Sequence, residues 1–250
     1  MNKVIIAAAA LAALSTAAPA QDVLRIGTEG AYAPWNLVND AGELAGYEID
    51  LGNAICEYTG MTCQFVQSEW DPIIPNLIAG NYDVIMAGMS ITPERQETIS
   101  FTQDYFPVDP SNFIVAAGAG FDTENPSGLR IGVQSNTIQA AYAEENFGDD
   151  NTIVAFATFD QSIADLAAGN VDTVLADGSS LDPVVANSGG ALEFVGEDIA
   201  IGGGVGAGVR KEDTELLATL DEALTALKAD GTVDALRAEW FDGVEPAYTE

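Results

Sequence analysis

Histidine is absent from the 250-residue sequence, and cysteine occurs only twice, at Cys56 and Cys63. Without histidine, the chain cannot assemble a Ser-His-Asp or Cys-His catalytic site, or a metal site with imidazole ligands. Lysine and arginine total 8 against 39 aspartates and glutamates, for a formal charge of −31 at pH 7. So acidic a chain has no basic patch to neutralise phosphates, which excludes nucleic acid as a partner.

Long hydrophobic runs are also missing, because no segment approaches the roughly twenty apolar residues that span a bilayer. Lys3 precedes an apolar run over residues 4–14, and Ala18-Pro19-Ala20 forms a small-residue cleavage pattern. We therefore predict a signal peptide over residues 1–20, cleaved after Ala20. No cysteine stands at the cleavage site, so we expect a protein that is free in the periplasm or outside the cell rather than lipid-anchored.

The two cysteines are expected to form a disulfide, because an exported protein folds in an oxidising compartment. Apolar residues recur at helical spacing from 51 to 58, and Gly60 would end that helix. This pattern puts Cys56 in a helix and Cys63 at the start of the next strand. A bond closing so short a loop would contribute about 2–3 kcal/mol in the chain-entropy model. Two free thiols are the alternative.

Two parts of the chain repeat one another. Segment 77–87 carries Leu, Ala-Gly-Asn, Asp and Ala at the spacing found again in segment 166–176, and Arg25-Ile26-Gly27 is echoed by Arg130-Ile131-Gly132. Helical and strand patterns alternate in both parts. They predict two α/β lobes of related layout, each a mostly parallel sheet flanked by helices.

The repeat also predicts where a ligand would bind, since sites in such sheets lie beyond the carboxyl ends of the strands. Gly88 and Asp177 fall at equivalent strand ends, as do Glu29 and Gln134. We expect all four positions to line one cleft between the lobes.

Two connections are predicted between the lobes. The first lies at 106–110, where two prolines follow the last strand of one lobe. The second lies near 202–206, because the leucine-rich helical tail after Asp213 has no counterpart in the other lobe. Lobe 1 is thus predicted to comprise residues 21–107 and 206–250, and lobe 2 residues 108–205.

The stretch from 87 to 95 carries a pattern typical of an anion site. An apolar strand run precedes it, and Thr92-Pro93-Glu94 has the composition of a helix start. Backbone N–H groups at such a junction suit an anion, and the planar guanidinium of Arg95 matches a carboxylate. Arg95 is therefore either the anchor of a carboxylate ligand or a solvated surface charge.

Four motifs together resemble the polar amino-acid-binding proteins of ATP-binding cassette importers: Arg25-Ile26-Gly27-Thr28 with Tyr32-Ala33-Pro34, the run from Gly46 to Leu51, Ser90 to Arg95, and Gly208 to Lys211. The resemblance covers essentially the whole mature chain. The cysteine pair is similar to that of the lysine/arginine/ornithine- and histidine-binding members. The resemblance implies a two-lobed periplasmic-binding-protein fold, an amino acid ligand and a membrane permease as partner. It implies a monomer that is not an enzyme and needs no cofactor or metal.

The resemblance also implies roles for particular residues. Arg95 would clamp the ligand α-carboxylate, helped by the N–H groups of Ser90 and Thr137. The α-ammonium would meet Asp177, the Gly88 carbonyl and the Ser90 hydroxyl. The ligand side chain would lie between Tyr32 and Trp70, with Glu29 near its far end. From the residues alone, the two aromatics could instead be core residues, Asp177 a helix cap or solvated acid, and Glu29 one acid among many.

A carboxylate beside two aromatic faces predicts a basic ligand: arginine, lysine, ornithine or histidine. Ala87 and Ile138 stand where basic-ligand members tend to have serine and glutamine, and these departures favour a neutral ligand such as glutamine. Two further classes remain open. One is a periplasmic enzyme resembling cyclohexadienyl dehydratase, which would need a Glu or Asp acid. The other is the sensing domain of a receptor, which would need a membrane span.

Overall fold

The computed structural model describes residues 22–120, 122 and 126–249. The predicted signal peptide, with its cleavage site after Ala20, lies outside the described residues. Within them, no helix has both the length and the apolar character needed to cross a membrane. The described chain is an α/β protein with one five-stranded sheet in each of two lobes, as predicted, and a small three-stranded sheet beside the first.

Strands and helices alternate through most of the chain. In order, the elements are β1 (Val23–Thr28), β2 (Ala31–Tyr32), β3 (Asn36–Val38), β4 (Leu44–Ala45), α1 (Tyr47–Thr59), β5 (Thr62–Gln67), α2 (Ile73–Ile78), β6 (Val84–Ile85), α3 (Pro93–Thr98), β7 (Ser100–Phe106), β8 (Ser111–Ala116), β9 (Arg130–Gln134), α4 (Ile138–Phe147), β10 (Thr152–Phe156), α5 (Phe159–Ala167), β11 (Thr173–Asp177), α6 (Gly178–Asn187), β12 (Leu192–Ile199), β13 (Val205–Val209), α7 (Thr214–Ala229) and α8 (Thr232–Trp240).

The two large sheets share one layout. The first has the order β5-β1-β6-β13-β7, and the second has the order β10-β9-β11-β8-β12. In each, the first three strands run parallel and the last two are antiparallel to their neighbours. The repeated sequence thus corresponds to a repeated topology, with β1 and β6 of one lobe matching β9 and β11 of the other.

The repeated arginine and aspartate have a physical role in each lobe. Arg25 pairs with Asp83 at 2.6 Å, and Arg130 pairs with Asp172 at 2.8 Å. Each arginine also donates to the carbonyl of the glycine three residues before its aspartate. In each lobe, the arginine and its partners join one strand to the turn that precedes the adjacent strand: β1 to the turn before β6, and β9 to the turn before β11. The same contact in both lobes accounts for the common spacing.

The chain passes between the sheets after β7 and again after β12. The leucine-rich tail forms α7 and α8, which pack on α1 of the first lobe. Leu220, Leu224 and Leu227 lie on one buried face of α7, and burial of each contributes about 1.5–3 kcal/mol. The lobe boundaries at 107 and 206 stay predictions.

The two cysteines form a disulfide, with the Cα atoms 5.8 Å apart. Cys56 lies in α1 and Cys63 in β5, as predicted. Gly60 ends α1 with a φ of 72°, a left-handed conformation that glycine adopts without steric cost. The bond therefore joins the helix to the next strand across a tight turn.

Candidate ligand-binding site

The loops that follow β1, β6, β9 and β11 meet at one cleft between the two sheets. All eight residues singled out in the sequence line it: Glu29, Tyr32, Trp70, Gly88, Ser90, Arg95, Thr137 and Asp177. Ala87, Gln134, Ile138 and Gln139 complete the lining. The four equivalent strand ends of the repeat therefore do come together, two from each lobe.

Arg95 lies in the first turn of α3. Thr92 caps this helix by accepting from the Arg95 N–H at 3.1 Å, and Pro93 follows as its first residue. The guanidinium donates to two backbone carbonyls, those of Ser90 at 2.8 Å and Asn136 at 3.4 Å. Its carbon lies 5.4 Å from the centroid of the Trp70 ring, within reach of a cation–π attraction.

The Arg95 guanidinium has no carboxylate partner among the described residues within 4.0 Å. Burial lowers its pKa to about 10, although the charges of Asp177 and Glu94 act in the opposite direction. A partly desolvated cation that has no ionic partner is stabilised when an anion binds to it from the cleft. This environment differs from that of a solvated surface arginine.

Asp177 ends β11 and precedes α6, but its side chain makes no capping bond to that helix. The carboxylate instead faces the cleft, where it accepts from the Tyr32 hydroxyl at 2.6 Å and the Gln139 amide at 2.6 Å. Burial raises its pKa to about 6, against the effects of the Tyr32 hydrogen bond and the Arg95 charge. The helix-cap and solvated-acid alternatives are therefore wrong for this side chain.

Tyr32 and Trp70 are both buried, and both line the cleft. Tyr32 packs edge-on against Phe159, with ring centroids 5.3 Å apart. A Cβ at Gly88 would meet the Tyr32 ring at 3.1 Å, and the φ of 61° there also favours glycine. The Trp70 indole N–H is buried without a hydrogen-bond partner among the described residues. The two rings thus belong to the core and to the cleft at once.

Glu29 follows β1 directly and is only 5% exposed. One carboxylate oxygen accepts from the Gln134 amide at 2.8 Å, across the cleft. Burial raises the Glu29 pKa to about 7, and repulsion from Asp160 and Asp71 adds to this despite the Gln134 hydrogen bond. Glu29 is therefore a buried acid of the cleft and not one of the many solvated acids.

The two glutamines were not among the predicted site residues. Gln134 was placed in the cleft by the repeat but given no role, and it holds Glu29. Gln139 bonds Asp177 and also donates to the Ser111 hydroxyl at 2.9 Å. Because Ile138 and Gln139 both line the cleft, the isoleucine does not deprive this wall of an amide. Ile138 is therefore weaker support for a neutral ligand than the sequence alone indicated.

Several hydrogen bonds cross from one lobe to the other. Besides Tyr32 to Asp177 and Gln134 to Glu29, Ser135 and Asn136 donate to Asp71 at 2.6 and 2.8 Å. The Trp35 indole donates to the Ser179 hydroxyl at 3.1 Å. The lobes thus contact each other around the cleft.

A family model described as bacterial extracellular solute-binding proteins, family 3, matches residues 24–243. The chain belongs to this family. The lysine/arginine/ornithine-binding periplasmic protein of Escherichia coli strain K12 is 35% identical over 97% of this chain and 98% of its own length.

Two solved structures of amino-acid-binding proteins are similar to this chain. A periplasmic His/Glu/Gln/Arg/opine family-binding protein from Silicibacter pomeroyi in complex with lysine is 48% identical, with a TM-score of 0.84 over 90% of this chain and all of that one. An ancestral arginine-binding protein bound to glutamine is 31% identical, with a TM-score of 0.79 over 89% of this chain and 99% of that one. The relatives named here are binding proteins.

Proposed function

We propose that this solute-binding protein captures an α-amino acid with a cationic side chain in the periplasm and delivers it to the permease of an ATP-binding cassette importer. The observation that carries the proposal is the set of charges in the cleft: one guanidinium, Arg95, and two buried carboxylates, Asp177 and Glu29. The relatives named for lysine, arginine and ornithine support the same ligand class.

The class of ligand follows from pairing each charge of the cleft with an opposite charge on the ligand. A zwitterionic α-amino acid would neutralise Arg95 with its carboxylate and Asp177 with its ammonium. Glu29 would then remain as a buried carboxylate, which is costly unless a positive charge pairs with it. A lysine, ornithine, arginine or histidinium side chain supplies that charge, and a neutral side chain does not.

The remaining lining residues fit this placement. The N–H groups of Ser90 and Thr137 would help Arg95 to hold the carboxylate, while the Gly88 carbonyl and Ser90 hydroxyl would assist Asp177 with the ammonium. Tyr32 and Trp70 would flank the aliphatic part of the side chain on its way to Glu29. For the ammonium to reach Asp177, the Tyr32 hydroxyl has to share or give up its 2.6 Å bond.

A neutral polar ligand such as glutamine is the second candidate. A pKa of about 7 leaves Glu29 partly protonated at neutral pH, and a protonated carboxyl can donate to an amide oxygen. The glutamine complex of the ancestral relative shows that a protein of this fold can hold such a ligand. Monomeric state, a signal peptide removed after Ala20 and the permease partner are further parts of the proposal.

A thermal-shift screen tests the ligand class. The protein would first be unfolded and refolded to remove bound ligand, then heated with each of the twenty amino acids, ornithine, citrulline and opines. A ligand that binds only the folded state raises the melting temperature. We expect the largest shifts from lysine, arginine, ornithine or histidine. A larger shift from glutamine than from all four would replace the proposal by the second candidate.

A further inference from the structure

A buried carboxylate lies behind the cleft, at Glu48 in the first turn of α1. It is fully buried and lines no part of the cleft. Three neutral groups donate to it: the Gly88 N–H, at 2.8 Å from both oxygens, the Asn36 amide at 2.9 Å, and the Tyr105 hydroxyl. Burial raises the pKa of Glu48, and the three hydrogen bonds counter that rise.

Each donor belongs to a different part of the first lobe. Gly88 lies in the loop after β6, beside Ser90 and the Tyr32 ring. Asn36 opens β3, and its side-chain oxygen accepts from the Gly30 N–H at 2.7 Å, next to Glu29. Tyr105 lies near the end of β7, just before the chain passes to the second lobe. One carboxylate thereby holds both cleft loops of the first lobe at fixed positions relative to each other.

The loops need this support because their backbones are unusual. Gly30 and Gly88 have φ values of 74° and 61°, so neither residue has the backbone conformation of a β-strand or an α-helix. Strand or helix hydrogen bonds therefore do not hold the loops at these two residues. In the loop after β6, the Glu48 carboxylate is what the Gly88 N–H binds. A buried N–H that loses its acceptor costs free energy and shifts its surroundings.

We propose that Glu48 is the positioning residue of the ligand site: it fixes the Gly88 and Gly30 turns, and through them sets the distance between the α-ammonium end and the Glu29 end of the cleft. The effect on ligand affinity rests on the function proposed above. The effect on the two turns does not.

The decisive variant is Glu48→Gln, which keeps the shape of the side chain but replaces one acceptor oxygen with an NH₂ donor. If the NH₂ faces Asn36, two donors meet, and Asn36 can rotate its amide to compensate only by withdrawing its oxygen from the Gly30 N–H. If it faces Tyr105, that hydroxyl can turn to accept, and a single neutral amide oxygen is left for the Gly88 N–H and the Asn36 amide. A hydrogen bond to a neutral acceptor is weaker than one to a carboxylate, so both turns should loosen in either case.

Asp234→Asn is the control. Asp234 is another buried carboxylate of the first lobe. It accepts from the N–H groups of Ala247, Tyr248 and Thr249 at 2.8–3.0 Å, and it also pairs with Arg237 at 3.0 Å. It lines no part of the cleft. Both substitutions should lower the melting temperature, but only Glu48→Gln should alter the site.

Two measurements decide the proposal. Amide hydrogen exchange of the ligand-free proteins should quicken at Gly88 and Gly30 by about tenfold or more in Glu48→Gln, and remain at the wild-type rate in Asp234→Asn. The dissociation constant for lysine should rise by about tenfold or more only in Glu48→Gln. Should Glu48→Gln fail to fold, Glu48→Asp replaces it: the side chain keeps its charge but is one methylene shorter, so its carboxylate cannot reach Gly88, Asn36 and Tyr105 together, and exchange should again quicken at Gly88 and Gly30.

Unchanged exchange at both glycines in Glu48→Gln would overturn the proposal, as would equal loss of affinity in Asp234→Asn. If the wild type bound no lysine, the proposed ligand class would fail. The exchange data on the ligand-free proteins would still decide whether Glu48 positions the turns.

Discussion

The affinity for lysine should depend on pH through Glu29. In the ligand-free protein, burial raises the Glu29 pKa to about 7. A lysine side chain is cationic throughout the range from pH 6 to 8 and requires the ionised carboxylate. Binding should therefore strengthen as pH rises through 7, and it should release a proton below that pH. The same shift makes the folded, ligand-free protein less stable as pH rises from 4.5 towards 7.

The magnitude follows from the ionised fraction. With a pKa of about 7, roughly a tenth of Glu29 is ionised at pH 6 and nine tenths at pH 8, so Glu29 alone changes the affinity about tenfold. Asp177, with a pKa raised to about 6, adds about a further twofold over that interval. Glu29→Gln should therefore reduce the pH effect from about twentyfold to about twofold. At pH 8 the variant should also bind lysine about 1.5–3 kcal/mol more weakly.

Calorimetric titrations with lysine at pH 6, 7 and 8 would measure both effects. Repeating the pH 6 titration in buffers of different ionisation enthalpy counts the released protons. Glutamine is the matched ligand, since replacing Glu29 should cost it less than about 1.5 kcal/mol. If wild type and Glu29→Gln showed the same pH dependence for lysine, then Glu29 would not be the partner of the ligand cation.

Other substitutions test the remaining parts of the site and fold. Arg95→Ala should weaken lysine binding by about 2–5 kcal/mol with little change in melting temperature, and calorimetry showing unchanged affinity would contradict the carboxylate clamp. Asp177→Asn should weaken lysine binding but not that of a ligand lacking the α-amino group. Reducing the Cys56–Cys63 bond should lower the free energy of unfolding by about 2–3 kcal/mol, measured by urea titration. Burial raises the Asp234 pKa, but hydrogen bonds from Ala247, Thr249 and Tyr248 outweigh it and hold the pKa well below its usual range. Wild type should therefore lose its stability advantage over Asp234→Asn as pH falls below about 4.

The sequence was a good guide to the features that depend on local pattern and on the repeat. Strand ends, helix starts and the Cys56 and Cys63 elements follow from spacing alone. The common placement of Gly88 and Asp177 follows from the repeated Ala-Gly-Asn segment, because equivalent strands end at the same edge of their sheets. These rules placed Glu29, Gly88 and Asp177 at the cleft, whereas Tyr32, Trp70 and Thr137 were assigned to it by the family resemblance.

Side-chain partners across the cleft could not be predicted in this way. The bond between Gln134 and Glu29 joins residues 105 positions apart, and it depends on how the two lobes face each other. The Tyr32 bond to Asp177 has the same origin. The Trp70 contact with Arg95 joins the loop after β5 to α3 within the first lobe, and the spacing of the sequence does not show that these two segments meet. The role of Glu48 could not be predicted from the sequence either. An acid in the first turn of a helix is already accounted for by its favourable interaction with the helix dipole.

Comparing lysine with norleucine tests the proposed ligand class most directly. The two share a backbone and an aliphatic chain, but norleucine lacks the terminal ammonium. Calorimetric titration of the refolded protein at pH 8 should show lysine binding more tightly by about 1.5–3 kcal/mol, the contribution of a charged hydrogen bond to Glu29. Equal affinities, or glutamine binding more tightly than both lysine and arginine, would contradict a cleft built for a cationic amino acid.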